Sequence, residues 1–409
     1  KSKVVTVRHL FVTQDFPPDL GGMARRHVEL CRRLAPAPDQ LIVSTVSSTQ
    51  SAAFDRDEPY DIARLPFSFS QAKRFTRQIE WASVITTLAS RGVDLIHLGN
   101  VRPCGYAVAL ASRRVRVPYL VYVNGGDLLR ERDKTARSAI KRWSARDILG
   151  RASGIVANSR WTAELAEDVM QRVGVRTPPP VAAIDLGTDP LHFTPARDRR
   201  ALRLRFALGD ALVMLTVARL VPHKGQDVAM RAMALLSDGP PDLRYLVVGE
   251  GHDLSRLRAL AESLGVADRV VFAGTLNDEE VAEAYATADV YVGLSRLHDG
   301  INVEGFGISF VEASSSGTPS VAGDSGGVRS AVRDGETGLV VAPDDAHAVA
   351  NALGTLLSDP ALRQRMAAAG RRAVEQHYNW DRVANETRAF SREALERWRA
   401  NHRRPSGRQ

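Results

Sequence analysis

The sequence predicts an α/β protein made of two doubly wound halves in tandem, each built on a parallel sheet. Three observations carry that prediction. The chain has 409 residues, too many for one ordinary core and well suited to two. Short apolar runs rich in β-branched residues alternate with helix-period stretches almost throughout. The alternation is interrupted around Pro178-Pro179-Pro180 and then starts again near residue 213.

The elements follow in order. Residues 4–12 begin with Val4-Val5-Thr6-Val7 behind Lys1-Ser-Lys, and read as a first core strand rather than a cleavable signal. Further apolar runs of strand length lie at 41–46, 95–98, 119–123, 154–157 and 181–184. Helical spacing is expected between them at 23–34, 71–90, 106–112 and 163–173. In the second half the strands fall at 213–217, 245–248, 270–272, 290–292, 320–322 and 339–341. Helices there are expected near 225–236, 254–264, 278–286, 310–316 and 346–357, with two more at 362–376 and 381–398. The tail 401–409 is polar and reads as loose. A doubly wound half places its ligand at the carboxyl ends of the strands.

Composition narrows the class. Apolar residues make up 44% and charged residues 25%, the balance of a soluble globular protein. The longest apolar stretches, such as 118–123, are strand-sized and too short to span a bilayer. Two cysteines, Cys31 and Cys104, read most simply as free thiols in a reducing cytoplasm, with a bridge as the alternative. The net charge of +8 is one-sided: residues 1–190 carry 28 Lys and Arg against 19 Asp and Glu, and the remainder carry 27 against 28. Such asymmetry points to an anionic partner of the first half, such as a membrane face or acidic acceptor; an arginine-rich solvated surface is the alternative.

Candidate chemistry begins where the first strand runs into Pro17-Pro18-Asp19-Leu20-Gly21-Gly22. Two glycines at a strand-to-helix turn let backbone N–H groups approach an anion. Arg25 and Arg26 follow in the first helical turn, facing an anionic acceptor or simply water. In the second half, Arg219 stands at a strand's carboxyl end and Lys224 at the start of the next helix. A guanidinium fork and a point charge can converge there on one diphosphate. A lysine at a helix N-terminus is electrostatically misplaced unless an anion sits nearby. The sharpest pattern is Glu304-Gly305-Phe306-Gly307-Ile308-Ser309-Phe310-Val311-Glu312. Its glycines break the first turn, so Glu304 reaches out from a loop while Glu312 projects from a helix. The Phe306, Gly307 and Ile308 amides are expected to be open at that helix start, and each carboxylate suits a sugar diol.

With these residues the chain resembles the family 4 retaining glycosyltransferases of GT-B architecture, two Rossmann-like doubly wound domains facing across a cleft. Gly317-Thr318-Pro319, Asp324-Ser-Gly-Gly327, Asp334-Gly-Glu-Thr-Gly338-Leu339 and Gly187-Thr-Asp189 before Phe193 extend the likeness over nearly the whole length. The resemblance implies an acceptor-binding domain over 1–187, a nucleotide-sugar-binding domain over 188–378, and a helix over 379–409 crossing back to the first. It implies that Gly21 and Gly22 meet the donor phosphate, that Arg219 and Lys224 hold the diphosphate, and that Glu312 takes the ribose hydroxyls. Glu304 and the amides of Phe306, Gly307 and Ile308 would hold the transferred sugar, and Gly274 with its neighbours would frame the base. The chain departs from the family pattern at Asn124-Gly125-Gly126-Asp127, where many members carry a histidine first, and at Ser330, where many carry glutamate. Asn124 cannot accept a proton but can orient a hydroxyl, so Asp127 becomes the candidate near the reacting centre. Asn124, Gly125, Asp127 and Arg25 are the candidate acceptor contacts.

The activity so implied is hexosyl transfer from a UDP- or GDP-sugar to an acceptor hydroxyl, with retention, by front-face attack, and with neither metal nor cofactor. The acceptor is expected to be lipid-linked or a small glycoside or cyclitol; nucleic acid is not an expected partner. The location implied is cytoplasmic, against the inner face of the membrane if the basic half binds it. The alternatives are another enzyme class on this architecture, an epimerase or phosphorylase, and a non-catalytic nucleotide-sugar-binding module. Asp55-Arg56-Asp57 has a metal-binding form but lies in a stretch that reads as an ordinary loop, and Gly249-Glu250-Gly251 lacks the third glycine of a dinucleotide fingerprint. No histidine or cysteine spacing suits zinc. His223 reads as a surface histidine, with a phosphate contact as the alternative. A basic amphipathic stretch over 130–151, with Ile140, Trp143, Ile148 and Leu149, suits either an anionic membrane or core packing with a solvated basic face. Phe67, Phe69, Phe75 and Trp81 raise the same choice.

Overall fold

A computed structural model of the chain describes residues 6–18, 21–36, 39–236 and 242–402. Val4 and Val5 of the first expected strand, Asp19-Leu20 of the glycine turn and the end of the polar tail lie outside them. The chain divides into two compact units, one of residues 1–184 with 380–409 and the other of 185–379. The first division falls three residues before the expected 187/188, and the final helix begins at Trp380.

The first unit carries seven strands, β1 (Arg8–Val12), β2 (Gln40–Val46), β3 (Asp61–Leu65), β4 (Leu95–Leu98), β5 (Tyr119–Val123), β6 (Gly154–Ala157) and β7 (Val181–Ala183). They pair in the order β3-β2-β1-β4-β5-β6-β7, all parallel, with Leu10 of β1 opposite Ile42 on one side and Ile96 on the other. Strands covered on both faces need apolar side chains on both, and β5 is buried at every position. The edge strand β3, Asp-Ile-Ala-Arg-Leu, was not expected: its two charges hide the β pattern, and Arg64 is held by an ion pair to Asp55 at 2.8 Å. The expected helix over 71–90 is two, Phe69–Ala72 opened by a Ser68–Gln71 capping box and Phe75–Ala89. The basic stretch over 130–151 is also two helices, Gly126–Arg137 and Ala139–Gly150, because Ser138 is extended and caps the second through Lys141 N–H. Leu128, Leu129, Ile148 and Leu149 enter the core while Ile140 (77% exposed) and Trp143 (59%) face out. Phe67 and Trp81 are likewise buried and Phe69 and Phe75 exposed. Both cysteines are free and buried.

Helix Trp380–His402 belongs to this first unit. It packs on helix Gly22–Leu34, and its Asp381, Arg388 and Arg399 form ion pairs with Arg33, Asp39 and Asp94.

The second unit has six strands, β8 (Leu212–Val217), β9 (Leu243–Val248), β10 (Val270–Gly274), β11 (Val290–Gly293), β12 (Ser320–Gly323) and β13 (Gly338–Val341), in the order β10-β9-β8-β11-β12-β13. Its core gathers Met214, Met230, Met233, Tyr245, Leu257, Leu353 and Leu356, among others. A fully buried leucine or methionine contributes about 1.5–3 kcal/mol each. In both sheets the strand order reverses beside the first strand, between β1 and β4 and between β8 and β11. The loops leaving the carboxyl ends there diverge and leave a crevice for a ligand. Among the described residues no helix is long and apolar enough to cross a membrane.

Candidate active site

In the second unit the loops after β8 and β11 meet at the reversal point. The chain leaves β8 through Arg219, makes one 3₁₀ turn over Pro222–Lys224, and enters helix Gln226–Leu235 at Gly225. Gly225 has φ of 76°, and a Cβ on it would lie 2.3 Å from the Leu294 carbonyl oxygen. Only glycine lets the two loops press together there. The Gln226 side-chain amide donates to the Arg219 carbonyl at 3.1 Å, fixing the base of Arg219.

That packing brings Lys224 Nζ to 2.7 Å from Glu304 Oε2, with both side chains about one-fifth exposed. Glu304 is held in turn by its carbonyl, which accepts the Gly327 N–H at 2.9 Å. Gly326 crosses so close that a Cβ would sit 2.2 Å from the Glu304 oxygen. Burial pushes the Glu304 carboxyl up, but the Lys224 charge and hydrogen bond, the His223 ring and the Phe306 N–H outweigh it and hold the group below its ordinary range. Glu304 is therefore a carboxylate at neutral pH, a hydrogen-bond acceptor rather than an acid. His223 beside it is depressed to about 4, by desolvation first and then by Lys224 and Arg219. It is neutral at pH 7, so the positive charge of the cluster resides on Arg219 and Lys224. The Arg219 side chain is exposed.

The Phe306 ring is buried, and the Phe306 backbone amide adds a small downward pull on the Glu304 carboxyl. Gly307 forms the N-terminal boundary of helix Ile308–Ser315, which has no side-chain cap. Glu312 is 6% exposed and accepts the Tyr285 hydroxyl at 2.9 Å. Burial raises the Tyr291 phenol, and the nearby Glu304 and Glu312 carboxylates add to it. Gly274 ends β10, and its carbonyl accepts the Gly249 N–H at 2.8 Å. Sequence reasoning missed Ser295, 3.5 Å from Glu304 Oε2, and Tyr285; the position of Ser295 just past β11 was the available signal.

In the first unit Gly21 and Gly22 are exposed at the start of helix Gly22–Leu34, which has no side-chain cap. Arg25 is half-buried, but Arg26 faces neither water nor an open surface: it is 2% exposed. Gly125 turns the chain after β5, and Asp127 sits in the first turn of the following helix, where Oδ1 accepts the N–H groups of Asn124 and Leu128, each at 2.9 Å. Burial raises the Asp127 carboxyl, partly countered by those two N–H groups. Beyond β2 and β3 an open hollow of about 620 Å³ is lined by Ser47, Ser48, Thr49, Gln50, Ser68 and Phe69, among others.

The Asp55-Arg56-Asp57 pattern lies at the end of a short helix, Ser51–Arg56, rather than in a plain loop, and Asp55 is engaged by Arg64. Among the described residues no group of three or more His, Cys, Asp or Glu is placed to hold a metal. The Ser330 carbonyl accepts the Tyr378 hydroxyl at 2.8 Å.

Comparison with known proteins bears on this geometry. Residues 20–181 match the family described as Glycosyltransferase Family 4, and residues 199–373 match Glycosyl transferases group 1. A GDP-mannose-dependent alpha-(1-6)-phosphatidylinositol monomannoside mannosyltransferase of Mycolicibacterium smegmatis is 32% identical, covering 91% of this chain and 94% of its own. A D-inositol 3-phosphate glycosyltransferase of Streptomyces bingchenggensis is 32% identical over 75% of this chain and 68% of its own. Among solved structures, HepE of Anabaena with UDP and glucose superposes with a TM-score of 0.74 at 20% identity, covering 94% and 98% of the two chains. Sucrose-phosphate synthase of Thermosynechococcus elongatus gives 0.77 at 23%, covering 96% and 100%. At such identities these two establish likeness of fold.

Proposed function

The chain belongs to glycosyltransferase family 4 and transfers a sugar from a nucleotide-sugar donor, and we propose that it does so with retention, without a metal, from GDP-mannose or a related UDP- or GDP-hexose. The observation that carries this reading is the Lys224–Glu304 contact at 2.7 Å with Arg219 and a neutral His223 beside it. Arg219 and Lys224 supply two positive charges for the departing diphosphate, and Glu304 offers a carboxylate to sugar hydroxyls. Preorganised donors of this kind are each worth on the order of 10²–10³ in rate. In front-face attack the acceptor oxygen bonds to the anomeric carbon as the bond to the β-phosphate breaks. The electron pair and the acceptor's proton both pass to the leaving phosphate oxygen.

For the acceptor, the inositol common to the named substrates of both relatives supports a cyclitol-bearing molecule, lipid-linked in the more extensive match. The hydroxyl-lined hollow beyond β2 and β3 suits such a polyol, and the basic first half suits its phosphate. Incubating the protein with GDP-mannose, with and without phosphatidylinositol monomannoside, and measuring GDP release and product tests the reading. Acceptor-dependent release with an α-linked product is expected; equal release in both arms, or a β-linked product, contradicts it.

A further inference from the structure

Arg26 is a guanidinium buried in the first unit, and no ion pair joins it to a carboxylate of a described residue. Its Nη1 donates to Asn124 Oδ1 at 2.7 Å and to the Val123 carbonyl at 3.4 Å, and its Cζ lies 4.9 Å from the centroid of the Tyr122 ring. Desolvation lowers it to about 10, against the fields of Tyr122 and Asp127, so it stays a cation at neutral pH.

An arginine has donors and no acceptor. The amide atom of Asn124 that faces it must therefore be the oxygen, whichever way the amide would otherwise turn. Asn124 Nδ2 then faces away from Arg26, and it is buried without a partner. Three residues on, Asp127 spends Oδ1 on the Asn124 and Leu128 N–H groups, and its Oδ2 is also buried without a partner. One short turn thus holds an unpaired donor and an unpaired acceptor on side chains three residues apart, the two complements of a hydroxyl, which accepts one hydrogen bond and gives another. Buried polar atoms are ordinarily satisfied, and unsatisfied ones point to a ligand or strained role.

We infer that Arg26 is a positioning residue that locks the Asn124 amide with its nitrogen toward the substrate, so that this position delivers a hydrogen-bond donor to a sugar or cyclitol oxygen while Asp127 receives that hydroxyl's hydrogen. The inference rests on the transfer reaction proposed above. Polarity, rather than size or mere presence, is then what position 124 contributes.

Asn124→Asp tests it, because stability and activity should move in opposite directions. The new carboxylate gives the buried guanidinium a counter-charge, so the thermal midpoint rises. It also replaces the outward donor with an acceptor, so kcat/KM for the acceptor substrate falls at least 30-fold while GDP affinity is unchanged. Asn124→His, which can accept from Arg26 through one ring nitrogen and donate through the other, keeps activity within about tenfold. Arg26→Lys retains more activity than Arg26→Met, with each shown to be folded by circular dichroism. Undiminished transfer by Asn124→Asp, or a lower midpoint for it, overturns the inference. A wild-type protein that transfers no sugar overturns the proposed function and this inference together; active wild type with active Asn124→Asp overturns this inference alone.

Discussion

Replacing Lys224 with alanine should alter rate, pH dependence and stability together, each by an amount the site geometry sets. In the mechanism proposed above the ammonium is one of two cations facing the leaving diphosphate, so its removal should lower kcat by roughly 10²–10³. It is also the counter-ion of Glu304 at 2.7 Å. The forces on Glu304 are burial upward and Lys224, His223 and the Phe306 amide downward; without Lys224 the largest remaining one is burial. The carboxyl should then titrate above its ordinary range, and the acid limb of kcat/KM should move to higher pH. The sign for stability follows. In the wild type the depressed Glu304 contributes stability that is present above the unfolded-state value and lost as pH falls through the folded one. The variant forfeits that contribution and is destabilised by about 1–3 kcal/mol at pH 7, between the limits for exposed and buried pairs. Diphosphate release across pH 4–9, with thermal melts at each pH, reads all three. A variant within threefold of wild-type kcat and with an unmoved acid limb would refute the reasoning.

Other perturbations test neighbouring parts of the account. Arg102→Met leaves the Glu131 carboxylate, 2.6 Å from Arg102 Nε and almost wholly buried, without its partner, and should cost about 3–5 kcal/mol in chemical denaturation. Gly326→Ala, at φ of 58° and 2.2 Å from the Glu304 carbonyl oxygen, should lower stability by about 1–3 kcal/mol and weaken sugar binding through displacement of Glu304. His223, depressed to about 4, contributes stability that is present above about 6.5 and lost as pH falls toward 4; His223→Gln should flatten that part of the melting profile. Asp127→Asn should keep GDP affinity and lower turnover at least tenfold, read by titration calorimetry beside initial rates.

The fold was legible because parallel strands buried on both faces must be written as short apolar runs, and twelve of the thirteen strands carry that signature. The thirteenth, β3, lies at an edge where Asp61 and Arg64 are tolerated, so its Ile62, Ala63 and Leu65 form no unbroken apolar run. Breaks inside helical stretches were also hidden. Extended backbone at Ser138 and at Arg74 divides these stretches, a single-residue change that periodicity averages away. At the site, Lys224 and Glu304 stood out by residue type, but their pairing across 80 positions depends on β8 lying beside β11. Two details were beyond reach for the same reason: the Tyr285 hydroxyl on Glu312 and the burial of Arg26 beside Asn124. Each is a tertiary contact between segments whose sequences do not announce one another.

The central claim is that Arg219 and Lys224 neutralise the nucleoside diphosphate in place of a divalent ion. Titration calorimetry of GDP and UDP in EDTA, on the wild type and on the Arg219→Ala, Lys224→Ala double variant, measures it directly. One of the two nucleotides should bind the wild type equally well with EDTA or magnesium, and the double variant should lose at least 100-fold in affinity. Binding that requires magnesium, or that survives loss of both cations, would contradict it.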